Sequence, residues 1–325
     1  YGYDHNLHIF ETGSGRTTHM QIFISGGSGM IGRALADTLT RNNHEVIILS
    51  RSPQDVSRLP QGARAVRWNG STAGAWQKEL EGSDAVVNLA GASIAGNGLL
   101  PQRWSADRKK IILESRITSG RILNETILRL KQPPAFFLQA SAVGYYGTRG
   151  DEFIYESHEP GEGFLADVCR KWEDSTRDLD LRLRRVVTRI GLVLNHDSGM
   201  LPLLKLPFRF YLGGPLGSGD QYMSWIHIED LIRSMVFLME NNHADGVYNL
   251  TAPHPVTNHS FSKTLARLMH RPAAVPVPAF ALRMLLGEAA DLALEGQRVL
   301  PRRLLNNGFS FSFDSIEQAM SDLLT

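Results

Sequence analysis

The chain holds a single cysteine, Cys169, in 325 residues. That excludes an intrachain disulfide and fits a reducing, cytoplasmic setting. A charge excess is missing too: 34 Lys and Arg stand against 33 Asp and Glu. Such a balance gives no global drive toward nucleic acid or an anionic membrane, and neither partner is expected. The basic clusters at 103–110 and 182–185 fall in helical or strand-flanking pattern and do not alter that expectation. No apolar run approaches the ~18 to 20 residues of a membrane span. The histidines show no metal-ligand spacing, so no metal site is expected. What is left is the composition of an ordinary globular protein, 42% apolar, long enough for one large or two modest domains.

Residues 1–19 lack the charged start and apolar middle of a signal peptide. They contain Gly-Ser-Gly and stop where a strand pattern begins, which reads as a vector-derived leader. From there, segments 20–25, 45–50, 84–89 and 135–140 are short and near-continuously apolar, with 63–68 and 184–190 as further strands. Helical spacing fills the gaps between them. Strands of this kind alternating with helices indicate an α/β fold, a doubly wound parallel sheet of Rossmann type. The segment 107–130, with Ile111, Leu113, Ile117, Leu123, Ile127 and Leu130, reads as a sheet-covering helix. A partner helix in a homodimer is the alternative, so monomer and homodimer both stay open. Composition shifts after 195, where the Pro- and Gly-rich stretch 200–221 reads as a loop-like insertion. The expected division is a nucleotide-binding domain, 20–195, and a smaller substrate-side portion, 196–325, with a crossover back to the sheet as an option.

The stretch 20–33, "MQIFISGGSGMIGR", places Gly26, Gly29 and Gly32 between a strand and a helix. A pyrophosphate can sit at such a helix N-terminus, where orphan amides and the macrodipole favour negative charge. Gly26 would allow the tight turn, Gly29 the approach of the ligand, and Gly32 close packing of the helix. Ser28, Met30 and Ile31 fall within the same turn. An NAD site usually ends its second strand in an acid; here "EVIILSRS" ends in Ser50 and Arg51. Arg51, with Arg33 beside it, suits a 2′-phosphate, so NADP(H) is the expected cofactor. At the end of "VVNLAGAS", Asn88, Leu89, Ala90 and Gly91 leave room for the cofactor's adenosine or ribose half.

With "GGSGMIG", "NLAGA", "QASAVGYYG" and "MSWIHIEDL" in this order, the chain resembles the short-chain dehydrogenase/reductase superfamily. It is similar to the extended, nucleotide-sugar-epimerase-like branch, and more narrowly to an atypical group called epimerase family proteins. The resemblance spans 20–324 and includes that group's C-terminal domain. It implies a catalytic serine followed by Tyr-x-x-x-Lys, in which the lysine lowers the tyrosine pKa for acid–base work. Aligning Glu173 with the acid that follows that motif puts Leu165 at the tyrosine and Cys169 at the lysine, and neither can replace it. Ser141, Tyr145 and Tyr146 are the catalytic candidates left. Cys169 reads as a small buried side chain, Asp230 as the acid serving a helix N-terminus, and His227 as structural. Residues 197–222, with Met200, Leu201, Phe208, Tyr211 and Tyr222, are the candidate substrate-side wall. Two functions follow: an NADP-dependent oxidoreductase or epimerase acting on a small, perhaps sugar-like, alcohol or carbonyl, or a non-catalytic NADPH-binding module.

Overall fold

A computed structural model describes residues 19–51, 59–96 and 102–325. Seven strands form the main sheet: β1 (Gln21–Ser25), β2 (Glu45–Ser50), β3 (Ala63–Arg67), β4 (Ala85–Asn88), β5 (Phe136–Ala142), β6 (Arg184–Ile190) and β7 (Gly246–Leu250). Their order is β7-β6-β5-β4-β1-β2-β3, and every neighbouring pair is parallel. Successive side chains on a strand point to opposite faces, so an apolar run feeds two cores at once. In β1, Ile22 and Ile24 join one core while Phe23 joins the other. The helices α1 (Met30–Arg41), α2 (Ala106–Arg129) and α3 (Phe164–Asp174) follow β1, β4 and β5. α1 covers the first core through Leu35, Ala36 and Leu39, and α2 covers the second through Leu123 and Ile127.

The buried stripe of α2 differs from the expected one. Ile111 is half exposed, while Ile112, Arg116, Ser119, Gly120, Leu123 and Ile127 face inward. The helix is thus rotated by one residue at its start, and a charged side chain lies on its inner face.

Beyond 195 come α4 (Leu201–Arg209), α5 (Ile228–Glu240), α6 (Asn258–Leu268), α7 (Ala279–Leu286) and α8 (Ile316–Leu324). This part of the chain crosses back: it supplies β7, and α5 packs with α1 in the first core. Around Leu201, Phe208, Phe261, Leu265, Met320 and Leu323 it builds a core of its own. The stretch read as loop therefore contains a helix, α4. Pro202 falls in its first turn, where no intrahelical N–H bond is lost, and Pro207 lies in the last turn.

At the start of α5 the expected roles of two residues are exchanged. His227 is itself the N-cap, its Nδ1 accepting from the Glu229 amide at 3.2 Å. Asp230, fully buried, accepts instead from the Ser312 and Phe313 amides at 2.9 and 2.8 Å and so ties the C-terminal tail to the helix. Asp230→Ala is expected to cost about 3 kcal/mol in urea unfolding, since two amides lose a charged acceptor. Burial holds the His227 imidazole below its ordinary value, with the Asp322 and Asp230 carboxylates opposing, and His44 is lowered chiefly by burial too. The unfolded chain then binds these protons more readily, so stability is full above about pH 6.5 and falls as pH drops through that value. Thermal unfolding at about pH 7.5 and about pH 5.5 should show the loss, reduced in His227→Asn, which keeps a capping acceptor.

Candidate functional site

The strand order reverses between β1 and β4, and a ligand crevice forms outside the carboxyl ends of an open sheet at such a point. Gly26 stands there at φ +74°, and a Cβ on it would lie 2.6 Å from the Leu89 carbonyl oxygen. A Cβ on Gly32 would lie 2.5 Å from the Gly26 oxygen, so the helix packs onto the turn itself. Gly29 differs: a Cβ there would meet only the Gly26 oxygen, at 3.3 Å. It is the exposed N-cap of α1, with no side-chain cap and no acid in the first turn. The amides of Met30 and Ile31 begin that helix, where intrahelical acceptors are lacking.

Around this turn Ser28, Arg33, Arg51 and Gly91 are exposed, and Met30, Ile31, Ser50, Leu89 and Ala90 are half-buried. Among the described residues Arg33 and Arg51 make no ion pair. Asn88 lies deeper than expected, with no exposed surface. Its Oδ1 accepts from Ser25 Oγ at 2.6 Å and its Nδ2 donates to Gln139 Oε1 at 3.0 Å. Its reach toward the crevice is indirect, through the Ala90 amide that donates to the same Oδ1 at 3.3 Å. Gly199 of the C-terminal portion comes up to the turn, where a Cβ on it would lie 3.2 Å from Met30 Sδ.

The three catalytic candidates gather on one ion pair. Arg189 donates to both Glu173 oxygens at 2.9 Å, and both side chains are largely buried. Ser141, 2% exposed, donates to Glu173 at 2.6 Å. Tyr146 has no exposed surface; its hydroxyl donates to Asn249 at 2.7 Å and accepts from Arg189 at 3.0 Å. Burial pushes its phenol up to about 12. Ser141 and Tyr146 are thereby committed to internal partners, and substrate has no path to the Tyr146 hydroxyl. Tyr145 is half-buried, its ring 3.3 Å from the Arg189 guanidinium, and burial raises its phenol also. Leu165 and Cys169 face the same turn: a Cβ on Gly144 would lie 3.3 Å from Leu165 Cβ and 3.9 Å from Cys169 Sγ. Cys169 is buried, which pushes its thiol up to about 11 and keeps it protonated.

Tyr145 opens onto a cavity of about 900 Å³ over β6 and β7, away from the glycine turn. Its arginines are already engaged: Arg170 with Asp167, Arg177 with Asp174, Arg185 with Asp180, and Arg184 on the Leu238, Met239 and Ala244 carbonyls. This is a self-neutralised groove. Of the expected substrate-side wall, Leu201 and Phe208 belong to the C-terminal core, Tyr211 lies under Arg271, and Tyr222 under Arg298. Sequence reasoning missed Arg116, the charged residue of the inner α2 stripe. The signal was present, four residues after Ile112 and seven before Leu123.

A parallel sheet with a glycine turn at its switch point defines a dinucleotide-binding α/β protein of Rossmann type. The sequence model of the NAD dependent epimerase/dehydratase family matches residues 22–164, and that of a domain of unknown function, DUF1731, matches 277–323. Epimerase family protein YfhF of Bacillus subtilis is 39% identical over 307 residues, 94% of this chain and 98% of that protein. The SDR39U1 homolog of Arabidopsis thaliana is 37% identical, covering 96% of this chain and 88% of its own. The crystal structure of human epimerase family protein SDR39U1 with NADPH superposes with a TM-score of 0.80 at 34% identity, over 94% of this chain and 99% of that one. The chain belongs to the epimerase family proteins of the SDR39U1/YfhF type, with an NAD-dependent epimerase domain and a C-terminal DUF1731 domain.

Tyr146→Phe is expected to lower stability by about 1–3 kcal/mol in denaturant unfolding, because Asn249 and Arg189 each lose a buried partner. Dinucleotide affinity, read by fluorescence titration of the same variant, should stay at the wild-type value.

Proposed function

We propose that the protein binds NADP(H) at the Gly26–Gly32 turn and works as an oxidoreductase or epimerase on a small, perhaps sugar-like, alcohol or carbonyl. The observation carrying this reading is the end of β2. Where an NAD site would place an acid, this chain has Ser50 and Arg51, and Arg51 and Arg33 stand exposed without an ion pair among the described residues. Two free guanidinium groups beside a ribose position favour a 2′-phosphate. The NADPH in the crystals of human SDR39U1 supports the same choice. When bound, the nicotinamide would supply or accept the hydride; the protein binds and orients. The partner is a small molecule rather than nucleic acid or membrane, and among the described residues no helix is long and apolar enough to cross a bilayer. A cytoplasmic location and a monomer or homodimer complete the proposal.

A second reading, a non-catalytic NADPH-binding module, draws on Ser141 and Tyr146 being tied to internal partners. Titration with NADPH and NADH, followed by nicotinamide fluorescence, tests the cofactor. Arg51→Ala should weaken NADPH by ~1.5 to 3 kcal/mol, the scale of a charge-assisted hydrogen bond, and leave NADH unchanged. Binding of neither nucleotide would overturn the reading. NADPH consumption with a panel of small carbonyl compounds separates enzyme from module.

A further inference from the structure

Seven of the eight residues of α7 are apolar, yet none of them is buried. A helix apolar on nearly every side is ordinarily one that another surface covers. Phe280 and Met284, one turn apart, are 72% and 74% exposed, and Leu285 is 61% exposed. The helix is held in place from its other side. Arg103 donates to the Met284 carbonyl at 3.1 Å, and Leu286 packs with Trp104 and Ile112. The apolar face is therefore displayed by an anchored element.

That face continues beyond the helix. Val275, also exposed, donates its amide to the Gly213 carbonyl at 3.2 Å, and Val277 donates to that of Pro215 at 2.9 Å. These bonds lay the segment before α7 beside the turn that leaves α4, where Phe210, Tyr211 and Leu212 are all exposed. Tyr211 stands at φ +63°, in the place after a helix that glycine usually fills, so an exposed aromatic is kept there at a conformational cost. Taking about 200 Å² for a fully exposed side chain of this size, the seven residues expose on the order of 800 Å². That exceeds the roughly 300–600 Å² of the largest apolar patch on a typical monomer, and it matches the ~800 Å² that each partner of a stable complex buries. Charge then selects the occupant. Arg283, the one charged residue of α7, is held by Asp291 at 2.9 Å, and Glu288 just beyond it by Lys109. Arg209 and Arg271 flank only the 210–212 end. A face that is neutral over the helix and basic at one end can meet its own copy about a two-fold axis at α7, which sets the basic ends apart. The outer side of α2, the other helix with a claim to a dimer contact, is different. Lys110 pairs there with Glu114 and Arg129 with Glu125, all four more than half exposed, as on a helix that faces solvent.

We propose that two copies of this chain dimerise through α7, Val275 and the 210–212 turn, about a two-fold axis at α7. Of the monomer and the homodimer this selects the second, and it does not rest on the cofactor reading, so nucleotide titration and sedimentation can fail separately. Sedimentation velocity of the full chain from ~1 to ~100 μM should show a species of twice the 36.1 kDa chain mass. Met284→Glu and Phe280→Ser should each raise the dissociation constant more than about tenfold, while Ile111→Glu, at a half-exposed position of α2, should leave it unchanged. Phe280→Ser, the milder change, carries the test alone where circular dichroism shows Met284→Glu unfolded. Wild type that keeps the single-chain mass throughout overturns the inference. So does a dimer that both α7 variants leave intact, whether or not Ile111→Glu dissociates it. Single-chain wild type that floats with phosphatidylglycerol vesicles, and loses this in Phe280→Ser, would give the face to a lipid surface and overturn the inference as well.

Discussion

Three backbones cross at the carboxyl end of β1 with no space for a Cβ between them. Gly26 lies against Leu89 of the β4 exit, Gly32 of α1 lies against Gly26 and Gly27, and Gly27 presses on Ile48 of β2, where a Cβ would lie 2.6 Å from its Cγ2. The separation of β1 from its neighbours, and the depth at which α1 sits on the sheet, both depend on these contacts. They also divide the motif. Gly26, Gly27 and Gly32 are explained by packing and would be required with no ligand at all. Gly29 alone would escape a severe clash, its Cβ meeting only the Gly26 oxygen at 3.3 Å, so the functional content of the glycine turn rests on one residue and the helix end behind it.

Beneath the crevice a chain of buried polar groups joins the strands side to side: Ser25 to Asn88, Asn88 to Gln139, Thr176 to Gln139 at 3.3 Å, and Arg185 to Thr176 at 3.0 Å. Arg185 ends on the Asp180 carboxylate, so the chain is closed by a counter-charge. A satisfied network in low dielectric fixes positions that apolar packing would leave interchangeable, whereas a half-satisfied one would destabilise. The strand ends are therefore held from below by hydrogen bonds and from above by the absence of side chains. At β5 and β6 the same logic has gone further. The Arg189–Glu173 pair draws in Ser141 and Tyr146, and groups that look reactive in sequence become its ligands.

Much of the fold was legible because near-continuous apolar runs such as "VIIL", short and rich in β-branched residues, fit strands buried on both faces. The position of the glycine turn was legible for the same reason, being fixed by the strand before it and the helix after it. Side-chain partners were not. Nothing local in "QASAVGYYG" says that its serine and second tyrosine meet Glu173 and Arg189, which lie 32 and 43 residues further on. The exchange between His227 and Asp230 has the same origin, since the Asp230 partners are 82 and 83 residues away. α4 was missed for a different reason. Two prolines outweighed its apolar spacing, although Pro202 falls in the first turn where proline is tolerated and Pro207 only in the last turn, at the cost of one intrahelical bond.

The loss of Tyr-x-x-x-Lys leaves few groups at the strand ends to act on a bound molecule. Leu165 and Cys169 carry no charge, and the protonated Cys169 thiol is no substitute for an ammonium. Ser141 and Tyr146 are held by neighbours. On the proposed reading, a hydride step in this crevice would be assisted by electrostatics more than by proton transfer from a tyrosine. Arg116 is clamped by the Ile112 and Ala92 carbonyls and the Trp172 face, so its guanidinium cannot reorient far. It is also a poor proton donor, because even after burial it stays protonated near neutral pH.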